Sequence, residues 1–275
     1  MMLKQRLMTA AVLIPLVVLS ILYLATTSLQ WLLAVVTLLA AWEWFSIIGF
    51  NTRSKMLFAM VTLVFTAVLT LFLPLGILLV FAAVMWATIL VFVDFFAHQA
   101  LPQKIQQLLK QPMIALIMAS IVLAIFWQAS VQLHASSILG PQQVLYVMVL
   151  VWLADTGGYF AGKRWGTRKL AKEISPNKTW EGVAGAIVLG GVWAFIGFYF
   201  GMAGSLSLVA WLLLSTITLF ISIIGDLFES LFKRCHDVKD SGNLLPGHGG
   251  MLDRIDSLIA AVPVFFAGLY FLGAV

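Results

Sequence analysis

Residues Gly76–Phe96 read GILLVFAAVMWATILVFVDFF, and their only charge is Asp94, near the end. A helix rises about 1.5 Å per residue, so roughly 20 apolar residues cross the hydrocarbon of a bilayer. Outward from this stretch, similar runs lie near 7–25, 29–48, 57–73, 113–130, 143–162, 180–200, 206–232 and 254–273, the third and fourth runs being separated by Leu73-Pro74-Leu75-Gly76. The whole chain of 275 residues is 62% hydrophobic and 10% charged, whereas a soluble domain carries about a quarter charged residues. Such a chain has too few polar groups to cover its surface in water. Lipid offers no partners for backbone N–H and C=O groups, so spanning segments must satisfy their own. The expected fold is all-α: a polytopic integral membrane protein with about nine transmembrane helices.

Met1–Ala25, with Lys4 and Arg6 before an apolar run, resembles a signal peptide, but the run is long and no clear A-x-A site follows. A retained signal anchor is the better reading. The single cysteine, Cys235, excludes an internal disulfide and any cysteine-based zinc or iron–sulfur site. No repeat and no linker to a second soluble domain is visible.

Basic residues collect in cytoplasmic loops of membrane proteins. With nine spans, the N-terminus inside and the C-terminus outside, the inner segments hold Lys4 and Arg6, Arg53 and Lys55, Lys104 and Lys110, the group from Lys163 to Lys178, and Lys233, Arg234, Lys239 and Arg254. These are all 16 Lys and Arg. The outer loops near 26–29, 74–75, 131–142 and 201–205 carry no charge. An eight-span arrangement puts some basic clusters on the wrong side.

The 11 acids fall in the same inner loops or in the inner halves of helices. Asp155 lies eight residues before Lys163, and Asp226 seven before Lys233, roughly 12 Å down their helices. Intramembrane acids are costly and face a partner or a wet cavity, so a common depth predicts one cavity open to the cytoplasm. Ser222, Asp226, Glu229 and Lys233 follow i, i+4, i+7, i+11 and share a face; Asp253 and Asp256 share another. Asp155, Gly158, Tyr159 and Gly162 form a third stripe, and Lys178, Glu181, Gly182 and Gly185 a fourth, with glycines admitting a close neighbour or ligand. A salt bridge alone does not need Asp226, Asp253 and Asp256 together, so these three are the candidate metal ligands. Blander readings hold elsewhere: Glu229–Lys233 as an i,i+4 pair, Glu43 between two tryptophans as an interfacial anchor, Asp94 and His98 as a solvated helix end, and His134 without a role.

Two loops carry the remaining polar chemistry. In Lys163–Trp180 some basic residues suit anionic headgroups, while Ser175-Pro176-Asn177-Lys178 predicts a helix start with Ser175 as N-cap and Pro176 at the first position. With Lys178 and Thr179 beside it, this is a candidate phosphate site. In Lys233–Arg254, Pro246, Gly247, Gly249 and Gly250 predict a tight turn whose N–H groups could cradle phosphate. His248 within it could orient a phosphate, act as an acid or fix the turn.

Ser230-Leu231-Phe232-Lys233-Arg234, then Lys239-Asp240, Pro246-Gly247-His248-Gly249-Gly250 and Asp253-Arg254-Ile255-Asp256 resemble the signature of the phosphatidate cytidylyltransferase (CDP-diacylglycerol synthase) family. Gly225-Asp226-Leu227-x-Glu229, Asp155-Thr156-x-x-Tyr159 and Ser175-Pro176-x-Lys178-Thr179 resemble its other blocks. The resemblance implies conversion of CTP and phosphatidic acid to CDP-diacylglycerol and pyrophosphate, with Mg²⁺ and room for a second cation. It implies a catalytic part at 131–275, a scaffold and lipid-access part at 1–130, a bacterial-type inner membrane, no nucleic-acid partner and a possible homodimer. Under it, Asp226, Lys233, Arg234, Lys239, Asp240, His248 and Arg254 are candidate catalytic groups. Asp155, Ser175, Lys178, Thr179, Glu229, Gly249 and Gly250 are candidate substrate contacts. Rival readings are a CDP-alcohol phosphotransferase, faintly suggested by Asp237-x-x-Asp240-Ser241-Gly242, a polyisoprenol kinase and a transporter. A transporter would place polar groups near the midplane with pseudo-symmetric halves.

Overall fold

The computed structural model describes residues 2–242, 244 and 249–275, with side chains from Met8 onward. The chain folds as helices α1 (Met2–Tyr23), α2 (Thr26–Ile47), α3 (Thr52–Phe72), α4 (Leu75–Phe96), a short α5 (Gln103–Leu109), α6 (Pro112–Ala135) and α7 (Gly140–Trp165). A hairpin of β1 (Lys169–Ala171) and β2 (Ser175–Thr179) leads to α8 (Trp180–Tyr199) and α9 (Leu208–Cys235). A turn of helix, α10 (Leu252–Ile255), then runs into α11 (Leu258–Phe271). Eight helical stretches among the described residues, α2, α3, α4, α6, α7, α8, α9 and α10–α11, are long and apolar enough to cross a membrane. The chain is thus a multi-pass membrane protein. The expected first span is α1, whose described apolar part, Met8–Tyr23, falls short of that length.

The ends form where the sequence supplies caps. Asn51 accepts from the Ser54 N–H at the start of α3, and Ser207 from the Ala210 N–H at the start of α9, which satisfies donors left without intrahelical partners. Pro74, Pro102 and Pro112 stand at the starts of α4, α5 and α6, where their missing N–H costs nothing.

One local expectation fails. Ser175 does not cap a helix, and Pro176 does not begin one. Both lie in β2, antiparallel to β1 with Lys169 opposite Thr179 and Ala171 opposite Ser175. Every strand of a two-stranded hairpin is an edge, where proline is tolerated. The helix begins four residues later, with the Thr179 hydroxyl accepting from the Gly182 N–H at 3.2 Å.

Most of the interior is a hydrophobic cluster running from Ile21 and Trp44 through Leu123 and Tyr146 to Phe265 and Leu269, beside a small second one of Leu78, Ala82 and Ile125. The large cluster joins both halves of the chain. Helices α6 and α11 are buried on almost every side, as expected of helices apolar all round. Val64, Leu71, Phe72, Val84 and Val91 on α3 and α4 stay exposed, as lipid-facing side chains do. His134 is buried and bonds Thr26 Oγ1 and the Ile21 carbonyl. It ties α6 to the α1–α2 turn, in line with its bland reading.

The glycines of α7 and α8 serve backbone contact. A Cβ on Gly157 would meet the Gly185 carbonyl, and one on Gly185 would meet Ala161 Cβ. Gly185→Leu is therefore expected to lower the unfolding temperature in detergent by about 5 °C, from an overpacking cost of about 1–3 kcal/mol. Gly191→Leu, where an added Cβ has nothing within 4 Å, is the control and should change little.

Candidate active site

The inner half of α9 organises the polar groups. Asp226, Glu229 and Lys233 lie on the expected stripe, and Lys233 Nζ sits 2.6 Å from Glu229 Oε2 and 2.8 Å from Asp253 Oδ1. The i,i+4 pair thus forms, but α10 shares its cation. Asp226 Oδ2 pairs with Lys178 Nζ at 2.5 Å, and its Oδ1 accepts from the Ser230 hydroxyl. Ser222 drops out of the set, because its buried hydroxyl donates to the Leu219 carbonyl.

Lys178 reaches Asp226 from the hairpin rather than from a helix. The hairpin is held to α8 by Glu181, whose carboxylate accepts from the Thr167 N–H and hydroxyl and from the Arg168 N–H. Thr179 is spent on its cap, and Ser175 is half-buried at the start of the strand.

Asp256 comes beside Asp226 because α9 carries Gly225. A Cβ there would stand 2.6 Å from the Asp256 carbonyl and 2.8 Å from Ala260 Cβ. Asp256 Oδ1 accepts from the Ser257 N–H, and its carboxylate is within electrostatic reach of Asp226, Glu229 and Lys178. Asp155 on α7 is within reach of Asp226, Lys178 and Arg254. Four of the expected acids, Asp155, Asp226, Glu229 and Asp256, therefore lie within electrostatic reach of one another or of a shared neighbour.

Asp253 points differently. It accepts from Lys233, from the Ser241 N–H at 3.2 Å and from the Gly250 N–H at 2.9 Å. The Gly250 N–H is thereby engaged within the loop. Gly249 adopts φ +82°, and a Cβ there would crowd Asp253 Oδ2, so its glycine identity follows from backbone conformation. His248, Pro246 and Gly247 lie outside the described residues.

The remaining basic candidates separate. Arg254 and Lys239 are exposed, as is Asp240. Arg234 has no ion pair with these acids among the described residues and lines a cavity of about 150 Å³ with Phe96, Gln106, Glu173 and Leu231. Asp94 and His98 are exposed at the end of α4.

Glu43 on α2 is not the interfacial anchor its flanking tryptophans suggest: it is only 4% exposed. Its Oε2 accepts from the Ser241 hydroxyl at 3.0 Å and from the Leu252 N–H at 2.8 Å. No spacing rule links it to residues about 200 positions away. The one hint was a lone acid in an apolar helix.

In the donor set, five carboxylates, Asp155, Asp226, Glu229, Asp253 and Asp256, stand against Lys178, Lys233 and Arg254. Glu229 is fully buried, and its Oε1 has no hydrogen-bond partner among the described residues. Excess negative charge at membrane depth favours a cation. No three His, Cys, Asp or Glu side chains among the described residues meet closely enough to hold a metal ion. A hydrated hard ion that takes one or two carboxylates and completes its shell with water and substrate phosphate fits this set; a caged metal does not.

Comparison with known proteins settles the family. A profile of the cytidylyltransferase family matches residues 4–272. The chain belongs to that family. A phosphatidate cytidylyltransferase of Pseudomonas aeruginosa is 40% identical over 99% of this chain and 98% of its own length. The Haemophilus influenzae protein of that name is 53% identical over 46% of this chain and 45% of its own length. The one from Bacillus subtilis is 50% identical over 48% of each. As a cytidylyltransferase-family member the chain is a nucleotidyltransferase, and the carboxylate–lysine cluster is its candidate active site.

Proposed function

We propose that this chain transfers a cytidylyl group from CTP to phosphatidic acid, forming CDP-diacylglycerol and pyrophosphate, as a step of phospholipid synthesis. A lipid phosphate oxygen attacks the α-phosphorus of CTP, and the bond from that phosphorus to the bridging oxygen breaks as pyrophosphate leaves. The nucleophile is already ionised near neutral pH, so the protein has to position the partners and balance their charge. The observation that carries this reading is the Lys178–Asp226 ion pair, with Asp256 brought to α9 at Gly225 and Asp155 within electrostatic reach. The full-length relative of P. aeruginosa supports the same substrates through its name.

Asp226 and Asp256, with Asp155 beside them, are the residues that would hold Mg²⁺. Bound there, the ion would offset phosphate charge. Asp253, the third carboxylate of the expected set, contributes through the loop and the lysine it holds. Lys178 stands at the carboxylates as a phosphate partner. Exposed Arg254 and Lys239 are free to meet triphosphate oxygens, and Lys233 keeps the acids of α9 and α10 in place. Arg234 faces the separate cavity, on a side suited to lipid phosphate at the surface. The basic residues at the level of the site support a cytoplasmic orientation, and the bacterial relatives support the inner membrane.

The test is pyrophosphate release by the purified chain in detergent with Mg²⁺ and phosphatidic acid, comparing CTP, ATP, GTP and UTP. Release should require both lipid and CTP and should stop with EDTA. Equal rates with all four nucleotides, or release indifferent to EDTA, would refute the proposal.

A further inference from the structure

We propose that Glu43 is a positioning residue for the nucleotidyl transfer, acting from α2 on the loop between α9 and α10. This rests on the reaction proposed above. Glu43 lies 198 residues from Ser241 and 209 from Leu252, yet one of its oxygens bonds both, tying Ser241 of that loop and the first residue of α10 to α2. The glycines beside these partners are built around it. A Cβ on Gly242 would stand 2.7 Å from Glu43 Oε1, and one on Gly250 would fall onto Ser241 Oγ and Glu43 Oε2.

Ser241 carries the contact inward. Its hydroxyl donates to Glu43, while its N–H donates to Asp253, which also accepts from Gly250 and Lys233. Lys233 in turn pairs with Glu229. Glu43 is thus joined through Ser241 and Asp253 to the lysine of the catalytic helix. The neighbouring Trp44 packs on Phe232 and Phe228 of α9, with ring centroids 4.7 and 6.2 Å away, so α2 and α9 meet as a firm seam. An interfacial anchor would show none of this. A buried carboxylate is costly unless it is hydrogen-bonded or paired, and here the bonds come from Ser241 and Leu252, beside Asp253 and Lys233.

The experiment compares the full chain with Glu43→Ala, Glu43→Gln, Ser241→Ala and the Glu43→Ala/Ser241→Ala pair. It reads kcat and KM for CTP, with size exclusion and unfolding temperature as checks of folding. Displacing a loop at a reacting centre predicts at least about a tenfold fall in kcat for folded Glu43→Ala. Glu43→Gln keeps an oxygen that can accept from both donors and should stay within about threefold. The double variant should be no worse than Glu43→Ala, because both changes break one contact.

Native kcat and KM in folded Glu43→Ala, effects that simply multiply in the double variant, or equal damage in Glu43→Gln would each overturn the proposal. Should Glu43→Ala fail to fold, Ser241→Ala decides. A kcat loss at native unfolding temperature supports the role, and native kcat refutes it. An inactive native chain would instead strike at the reaction itself.

Discussion

Asp226→Asn is expected to reduce lipid-dependent pyrophosphate release by about a thousandfold, the scale on which one preorganised electrostatic group acts on a transition state. The amide keeps the size of the carboxylate and can still accept from Ser230, so the fold should persist. What is lost is the charge that pairs with Lys178 at 2.5 Å and, in the proposed role, a ligand for Mg²⁺. Two measurements check this. Turnover at saturating CTP should fall, and the Mg²⁺ concentration for half-maximal residual activity should rise. An Asp226→Asn protein with near-native turnover and an unchanged Mg²⁺ requirement would remove Asp226 from the metal site.

The second large effect is expected at Lys233. Its ammonium lies between Glu229 and Asp253, whose side chains are 1% and 10% exposed. Lys233→Met leaves both carboxylates buried without their cation, and breaking a buried pair by removing one partner costs about 3–5 kcal/mol. For a chain of this size that corresponds to roughly a 10 °C fall in unfolding temperature, read by a thermal scan in detergent. Adding Glu229→Gln and Asp253→Asn to Lys233→Met should restore part of the stability, because no unpaired charge then remains, but not the activity. If Lys233→Met alone unfolds within about 2 °C of the native chain, the buried pair is not the stabilising contact that its geometry indicates.

The contrast between these residues explains what could be read in advance. Asp226, Glu229 and Lys233 are local to one helix, and the helical period alone places them on one face. The pairing of Lys233 with Glu229 needed nothing more. Its second partner, Asp253, lies across the loop that returns the chain to α10, and no helical period crosses a loop. The fourth polar stripe failed in part for a related reason. The spacing puts Lys178 on a helix with Glu181, but a proline suits an edge strand as well as a helix start. The choice fell to the β1 partner, Lys169–Ala171, whose few mixed residues carry no period. The reach of Lys178 to Asp226 survived the change of element.

Composition and pattern are enough to show that this chain crosses a membrane many times as helices, that its basic residues fall between alternate apolar runs and that its C-terminal half carries nucleotidyltransferase motifs. The first two conclusions rest on composition, on runs of about 20 apolar residues and on short-range spacing, because a bilayer admits few other solutions; the third rests on the resemblance of those motifs to a known family. Tertiary structure alone decided that Gly157 and Gly185 serve backbone contact, that Gly225 brings Asp256 to Asp226, and that Glu43 on the second helix holds a loop about 200 residues away. Each depends on which helix packs against which. Lipid tails are as apolar as the helix surfaces, so hydropathy does not encode those neighbours; close packing and hydrogen bonding choose them.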